Sequence, residues 1–172
     1  MKKYNSEEMQ RLRSRWDRDL INSLVVALNQ GLPVQPLLDT VKQNGDSVFI
    51  SERMDFRGID FSHQNLRGPW TTENGKRFRN GVSLQNADFS GADLSWAILP
   101  NADLRGTVFR QANLSFAELI LSDLSDADLS EADLTGAWLL DTKFFNAQVT
   151  KRQLQSRQNH GQLDFDYHAY EI

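Results

Sequence analysis

From Val82 to Lys151 the chain reads VSLQN ADFSG ADLSW AILPN ADLRG TVFRQ ANLSF AELIL SDLSD ADLSE ADLTG AWLLD TKFFN AQVTK, fourteen consecutive blocks of five without a gap. The third position of every block is Leu, Phe or Val, from Leu84 and Phe89 through Phe144 and Val149. The first position is small, usually Ala, and the second is often Asp. A period of five matches neither the 3.6 of a helix nor the 2 of a simple strand. Within one block, however, positions one and three are apolar and two apart, which is strand spacing with both side chains on one face. The chain must then turn before the next block begins. Short strands separated by regular turns make a coil, and coils stack through backbone hydrogen bonds about 4.8 Å apart. The large third residue fills the core of such a stack, and Ala makes room beside it.

A shorter run of the same pattern lies upstream in MDFRG, IDFSH and QNLRG, centred on Phe56, Phe61 and Leu66. Together these blocks resemble the pentapeptide-repeat family, whose motif is A(D/N)LXX. The resemblance implies a β-solenoid: a right-handed quadrilateral β-helix of about four coils, with four blocks to each turn. The whole chain divides into three expected regions. Residues 1–45 form an N-terminal α-helical extension, 46–150 the β-helix interrupted at 69–81, and 151–172 a short helical cap and tail.

With four blocks per turn, residues twenty apart sit above one another. Trp96 and Phe116 are so related, as are Pro100, Ile120 and Leu140; Ile98 and Trp138 are forty apart, and Leu121 joins them. In the family's register all of these point outward on one side or at its leading corner. The other three sides carry Asp at the second position and Ser or Thr at the fourth, for example Asp88, Asp123, Ser90 and Ser125. One side is therefore greasy, the usual mark of a contact surface. It is expected either to lie under the chain's own N-terminal segment or to stay open for a protein partner, a second copy included.

Residues 6–30 read as one amphipathic helix, with Ser6 as its cap, a stripe of Met9, Leu12, Trp16, Leu20, Leu24 and Leu28, and Gly31 as its end. A second, shorter helix is expected over Gln35 to Lys42, and Gly45-Asp46 leads into the first coil. The long helix would span about 36 Å against about 20 Å for four coils. It must therefore bend, project or cap the column. Its overhang is expected to mediate dimerisation or partner binding. Lys2, Lys3, Arg11, Arg13, Arg15 and Arg18 make it basic, but Glu7, Glu8, Asp17 and Asp19 dilute that charge, and the reading is a solvated helix face.

Leu66 and Leu84 are eighteen apart, which breaks the phase. Trp70 to Arg79 reads as a hairpin around Asn74-Gly75, the residue pair of a type I′ turn. Trp70, Lys76, Arg77, Phe78 and Arg79 are residue types that anchor binding loops, so they join the candidate surface. Thr150 and Gln153 have the spacing of a capping box, for a short helix to about Gln158. In the tail, Leu163, Phe165, Tyr167 and Ala169 alternate with Asp164, Asp166 and His168.

There is no cysteine, hence no disulfide or thiolate chemistry, and no phosphate-binding glycine loop or nucleophile elbow. His63 and His160 stand apart from other candidate ligands. The carboxylates recur because the coil recurs. No catalytic residue, cofactor or metal site is expected, nor a membrane segment or signal peptide, and the chain is read as cytoplasmic and bacterial. Lys and Arg exceed Asp and Glu by 13 to 10 over residues 1–81 but fall short by 3 to 10 over 82–150. An acidic body disfavours direct contact with nucleic acid and favours basic partners. The expected function is a non-enzymatic protein-interaction or scaffold module. The alternative comes from the resemblance, since some members of the family mimic DNA and protect type II topoisomerases from quinolones; the mimic here would be Glu118, Asp123, Asp126, Asp128, Glu131 and Asp133.

Overall fold

The computed structural model describes residues 4–42 and 53–155. In chain order these form helices α1 (Ser6–Ser14), α2 (Arg18–Gln30) and α3 (Gln35–Lys42), the hairpin strands β1 (Trp70–Glu73) and β2 (Lys76–Arg79), and helix α4 (Lys151–Leu154). Gly45, Asp46, His160 and the tail with Asp164, Asp166 and His168 lie outside the described residues.

The five-residue blocks stack as parallel bridges in four rows. Row 1 joins Asp55, Asp88, Val108, Asp128 and Gln148; row 2 joins Asp60, Asp93, Asn113 and Asp133. Row 3 joins Asn65, Ile98, Glu118 and Trp138; row 4 joins Ser83, Asp103, Asp123 and Lys143. The step is twenty residues except at Asp55–Asp88, Asp60–Asp93 and Asn65–Ile98, where it is 33. The excess of thirteen is the length of the 69–81 insertion, so the chain leaves and rejoins the stack without losing register. Each contact is one bridging residue, tied by bonds such as Phe56 N–H to the Asp88 carbonyl at 2.8 Å and Asp88 N–H to the Met54 carbonyl at 2.8 Å.

The block pattern has a physical reason at each position. Third-position side chains are sealed inside, and first-position Ala residues flank them. Where the first position is polar, the hydroxyl returns to the backbone: Thr107 donates to the Leu104 carbonyl at 2.6 Å and Ser122 to the Leu99 carbonyl at 2.6 Å. The second-position Asp accepts the N–H two residues on, as Asp88 does from Ser90 at 2.9 Å and Asp123 from Ser125 at 3.0 Å. This is the local bond that makes Asp a turn former. The fifth position has positive φ in every block from Gln85-Asn86 to Phe145-Asn146, which turns each corner. Row 1 also carries an aromatic column: Phe56, Phe89 and Phe109 stack at 4.9 and 5.3 Å, and Trp16 stacks on Phe56 at 6.3 Å.

The N-terminal segment departs from the single helix expected over residues 6–30. Asn5, not Ser6, caps α1, in a reciprocal capping box with Glu8. The helix stops at Arg15, and Asp17 caps a new one, its side chain accepting the Leu20 N–H at 2.8 Å. The break aims Arg15 and Trp16 at the first coil. Trp16 Nε1 and an Arg15 Nη each donate to the Arg57 carbonyl at 2.9 Å. Arg15 and Arg57 grip Asp55 at 2.8 and 2.6 Å with all three side chains at most a tenth exposed. Burial raises the Asp55 carboxyl, but the bonds from Arg57 and Arg15 outweigh it and hold it below the ordinary carboxylate value.

From that clamp α1 runs down the corner between rows 1 and 2. Leu12 lies against Gly58, Met9 against Gly91, and the Tyr4 N–H reaches the Gln111 side chain. A Cβ on Gly58 would stand 2.9 Å from Leu12, and one on Gly91 would stand 2.1 Å from the Met9 methyl, so glycine makes the close approach possible. Leu24, Ala27 and Leu28 of α2, Val34 of the connection, and Leu38 and Val41 of α3 bury with the top of the column in one core. The Asn29 side chain bonds the Asn65 carbonyl and the Gly68 N–H, which seats the end of α2 above row 3. At the other end Thr150 and Gln153 form a reciprocal capping box, and the Gln153 amide donates to the Leu129 and Ala132 carbonyls at 2.8 and 2.9 Å.

Candidate functional site

Row 3 differs from the other rows because most of its outward positions are apolar, namely Ile98, Pro100, Ile120, Trp138 and Leu140, with Asn65, Arg67 and Glu118 as the polar exceptions. Its leading corner stacks His63, Trp96, Phe116 and Gly136. The His63 and Trp96 rings lie 6.1 Å apart with planes 5° from parallel, and Trp96 and Phe116 lie 4.5 Å apart at 12°. The Phe116 ring then covers Gly136, where a Cβ would sit 2.6 Å from it. Pro100, Ile98 and Ile120 are half-buried between the corners, and Trp138 and Leu140 form the lower end. Leu121 stands on the trailing corner, which corrects the expectation that it lies on the face or its leading corner. Trp96, Leu121, Trp138 and Leu140 are 52, 52, 47 and 37% exposed. Among the described residues the helices lie elsewhere, over the corner between rows 1 and 2 and at the top of the stack, so α1 to α3 do not supply the cover that was one of the two expectations for the stripe. His63, read from the sequence as standing apart, is the upper rung of the ring ladder.

Three of these residues sit where the backbone discourages them. Trp96, Phe116 and Leu121 have φ of 59, 58 and 61°. A bulky L-residue in this left-handed region is uncommon and costs roughly 1–2 kcal/mol. Equivalent corners are mostly held by residue types that accept the conformation readily, such as Asn86, Gly91, Asn101, Gly106 and Asp126, although Gln111 and Glu131 also occupy it.

The trailing corner also launches the hairpin. Gly68 and Gly81 meet there, and Gly81 packs on the Asn101 backbone, one rung above Leu121. β1 and β2 pair antiparallel from Trp70–Arg79 to Glu73–Lys76, around Asn74 and Gly75 at φ 51 and 74°. That is the turn expected of this pair. The Trp70 ring lies under two guanidinium groups, Arg77 at 4.5 Å and Arg79 at 4.7 Å, and Arg79 also donates to the Gly68 carbonyl at 2.9 Å. Trp70, Lys76, Arg77 and Phe78 are exposed. The two groups of candidate residues thus share one side of the molecule: the apolar set on row 3, the basic set at the top of its trailing corner.

Phe145 was missed by the sequence reading, although it is 63% exposed. It follows the trailing corner on row 4, at a fourth position that holds Arg105 and Ser125 in the coils above, and that contrast was its signal. The Arg15–Asp55–Arg57 clamp was missed as well. Its signal was Arg57 two residues after Asp55, the spacing that also pairs Arg105 with Asp103.

Carboxylates elsewhere are engaged within the coils. Burial raises Asp128, yet the bonds from Ser130 and Arg110 hold it below its ordinary value. The Arg105 guanidinium and the Gln85 amide bond Asp103, which is likewise lowered, chiefly by Arg105. A cleft of about 740 Å³ lies under the α1–α2 break, lined by Arg13, Arg18, Asn22, Asp60 and Ser62 among others. Among the described residues no cluster of His, Asp and Glu is arranged to hold a metal ion, and no helix is long and apolar enough to cross a membrane.

Stacked five-residue coils with one apolar side define a repeat protein whose distinguishing feature is its outer surface. The pentapeptide-repeat family model matches residues 87–126 and 122–151 with eight copies, so this stretch is built of pentapeptide repeats. Among solved structures it is similar to HetL, a pentapeptide repeat protein involved in heterocyst differentiation regulation from the cyanobacterium Nostoc sp. strain PCC 7120. That match has 35% identity and TM-score 0.38, and it spans 59% of this chain but only 39% of HetL. Rfr23 from the cyanobacterium Cyanothece 51142 matches at 24% identity over 56% of this chain and 84% of its own, TM-score 0.36. QnrB1, a plasmid-mediated fluoroquinolone resistance protein, matches at 19% identity over 61% of this chain and 57% of its own, TM-score 0.35. No curated protein matches in sequence.

Proposed function

We propose that the coils form a right-handed, four-sided β-helix that serves as a cytoplasmic protein-interaction scaffold, with row 3 and the hairpin beside it as the binding surface. The observation that carries this reading is the placement of Trp96, Phe116 and Leu121 in left-handed corners while they stay half-buried or exposed. Such residues contribute little to the core and strain the backbone, and strain of this kind gathers at functional sites. Aromatic and Arg side chains are also the types that dominate interface energetics. A DNA-mimicking role is less favoured, because the Asp123, Asp128 and Asp133 carboxylates hold the turns of their own coils. Asp128 is further taken by Arg110, and Lys143 stands 3.9 Å from Asp123.

The test is capture from native lysate by the full chain, by Trp138→Asp, and by a chain whose hairpin is shortened to a two-residue turn. Loss of the captured proteins in either variant supports the reading. Identical capture by all three removes it. A gyrase supercoiling assay with and without quinolone should show no effect, and protection there would favour the mimic instead.

A further inference from the structure

We propose that the apolar face of row 3 seats a second copy of this chain, packed antiparallel about a two-fold axis that crosses the face at the level of Ile120. This rests on the reading of row 3 as a protein-binding surface and names its occupant.

Size is the first argument. The exposed parts of Trp96, Leu121, Trp138 and Leu140 amount to about 400 Å², given side chains of roughly 150–250 Å². The half-buried Ile98, Phe116 and Ile120 and the hairpin flank bring this toward the roughly 800 Å² that each partner of a stable complex buries.

Shape is the second. An axis at Ile120 brings the coil of Trp96 in one copy opposite the coil of Trp138 in the other. The projecting Trp96 then faces the corner rung of Gly136, the rung that has no side chain of its own. Both contacts occur twice, as an isologous interface requires.

Charge is the third. The hairpin cations Lys76, Arg77 and Arg79 stand at the top of the trailing corner, and the exposed Asp141 stands at the bottom of the same corner. Antiparallel packing sets each cationic tip against the other copy's Asp141 end. A two-fold along the columns would instead hold each hairpin at the top, over the other copy's leading corner and away from Asp141. Glu118 comes near its own symmetry mate at the axis, but Arg67 of the same chain stands 3.7 Å from it.

Light scattering on the full chain between about 1 and 100 µM should therefore show a dimer, the range in which an interface of this size is populated. Trp138→Asp and Leu121→Asp alter exposed side chains, so the fold should stay intact by circular dichroism while the dissociation constant rises at least ~10-fold. Lys76→Glu with Arg77→Glu should weaken the dimer by about tenfold, and adding Asp141→Lys should restore it to within about threefold. Tighter association of the Lys76→Glu, Arg77→Glu chain would overturn the antiparallel arrangement. A dimer indifferent to Trp138→Asp and Leu121→Asp would overturn the interface. A chain that stays monomeric at about 100 µM overturns the proposal. If Trp138→Asp then still abolishes lysate capture, the face remains a binding surface with a foreign occupant; if it does not, both readings fall.

Discussion

Two aromatic ladders climb the same column. Inside row 1, Trp16, Phe56, Phe89 and Phe109 stack at spacings of 4.9 to 6.3 Å. At the leading corner of row 3, His63, Trp96 and Phe116 stack at 6.1 and 4.5 Å. Both follow the twenty-residue step and both skip the insertion. The inner ladder sits at third positions, and its Phe rings are 0 to 1% exposed. The outer ladder sits at left-handed fifth positions, with Trp96 52% exposed. The spacing of the rungs is therefore a property of the coil, and what a rung does depends on which of the five positions it occupies. One ladder holds the coils together; the other is carried by coils already held.

The sharpest way to break this contrast is to remove one rung from each. Phe89 lies between Phe56 and Phe109 and touches the tilted Phe61 ring, at centroid distances of 4.9, 5.3 and 6.4 Å. Phe89→Ala should cost about 3–5 kcal/mol, which lowers the midpoint of thermal unfolding by roughly 10 °C at 2–4 °C per kcal/mol. Trp96→Ala removes stacking of about 0.5–1.5 kcal/mol with each of His63 and Phe116 and little buried area, so its midpoint should move by roughly 5 °C, about half as far. Equal shifts in the two melting curves would mean that the outer ladder is structural.

The clamp that closes the inner ladder should come next. Asp55→Ala leaves Arg15 and Arg57 side by side without their shared carboxylate, and breaking a buried ion pair in this way costs about 3 kcal/mol or more. Acid should imitate the substitution. The Asp55 carboxyl is lowered in the folded chain, so its contribution is complete above the ordinary carboxylate range and is lost as pH falls through the folded value. Denaturation curves for the natural chain and Asp55→Ala should therefore differ at neutral pH and draw together only as the pH falls below the ordinary carboxylate range and through the lowered folded value. A gap that persists in acid would show that the carboxylate does not hold the cap.

How far the sequence foretold these regions also follows from position. The coil was legible because every block must put an apolar side chain at its third position, and fourteen in phase leave no other reading. The hairpin was legible because Asn74-Gly75 fits a turn that few other pairs adopt. The break at Arg15–Asp17 was not, because the apolar stripe Leu12, Trp16, Leu20 runs through it at helical spacing. Asp17 is a local cap for the second helix, but the partners that hold the break open, the Asp55 carboxylate and the Arg57 carbonyl, lie about forty residues away. The route of α1 was equally hidden. Glycines at 58 and 91 look like corner residues, and nothing local says that a helix passes over them. The apolar side of row 3 was legible at the twenty-residue step, but whether α1 and α2 lie on it depended on that hidden route.

The smallest expected effect on stability is the most direct probe of the outer corner. Along the trailing corner the fifth positions are Gly81, Asn101, Leu121 and Asp141, all at positive φ. Leu121 alone is a residue that the left-handed region disfavours, and at 52% exposure it gains little from burial. Leu121→Asn should therefore raise stability by about 0.5–1 kcal/mol by easing that strain, a gain of roughly 2 °C in the melting midpoint. The same change removes apolar surface from the centre of row 3 and should weaken self-association. Asn101→Leu, one rung above, should do the reverse to stability. If Leu121→Asn instead destabilises the chain by 1 kcal/mol or so, well beyond the usual effect of an exposed substitution, then Leu121 is held for packing and the strain argument for this face fails with it. A variant that melts higher and associates less would mean that this corner keeps its leucine for what it touches outside the coil.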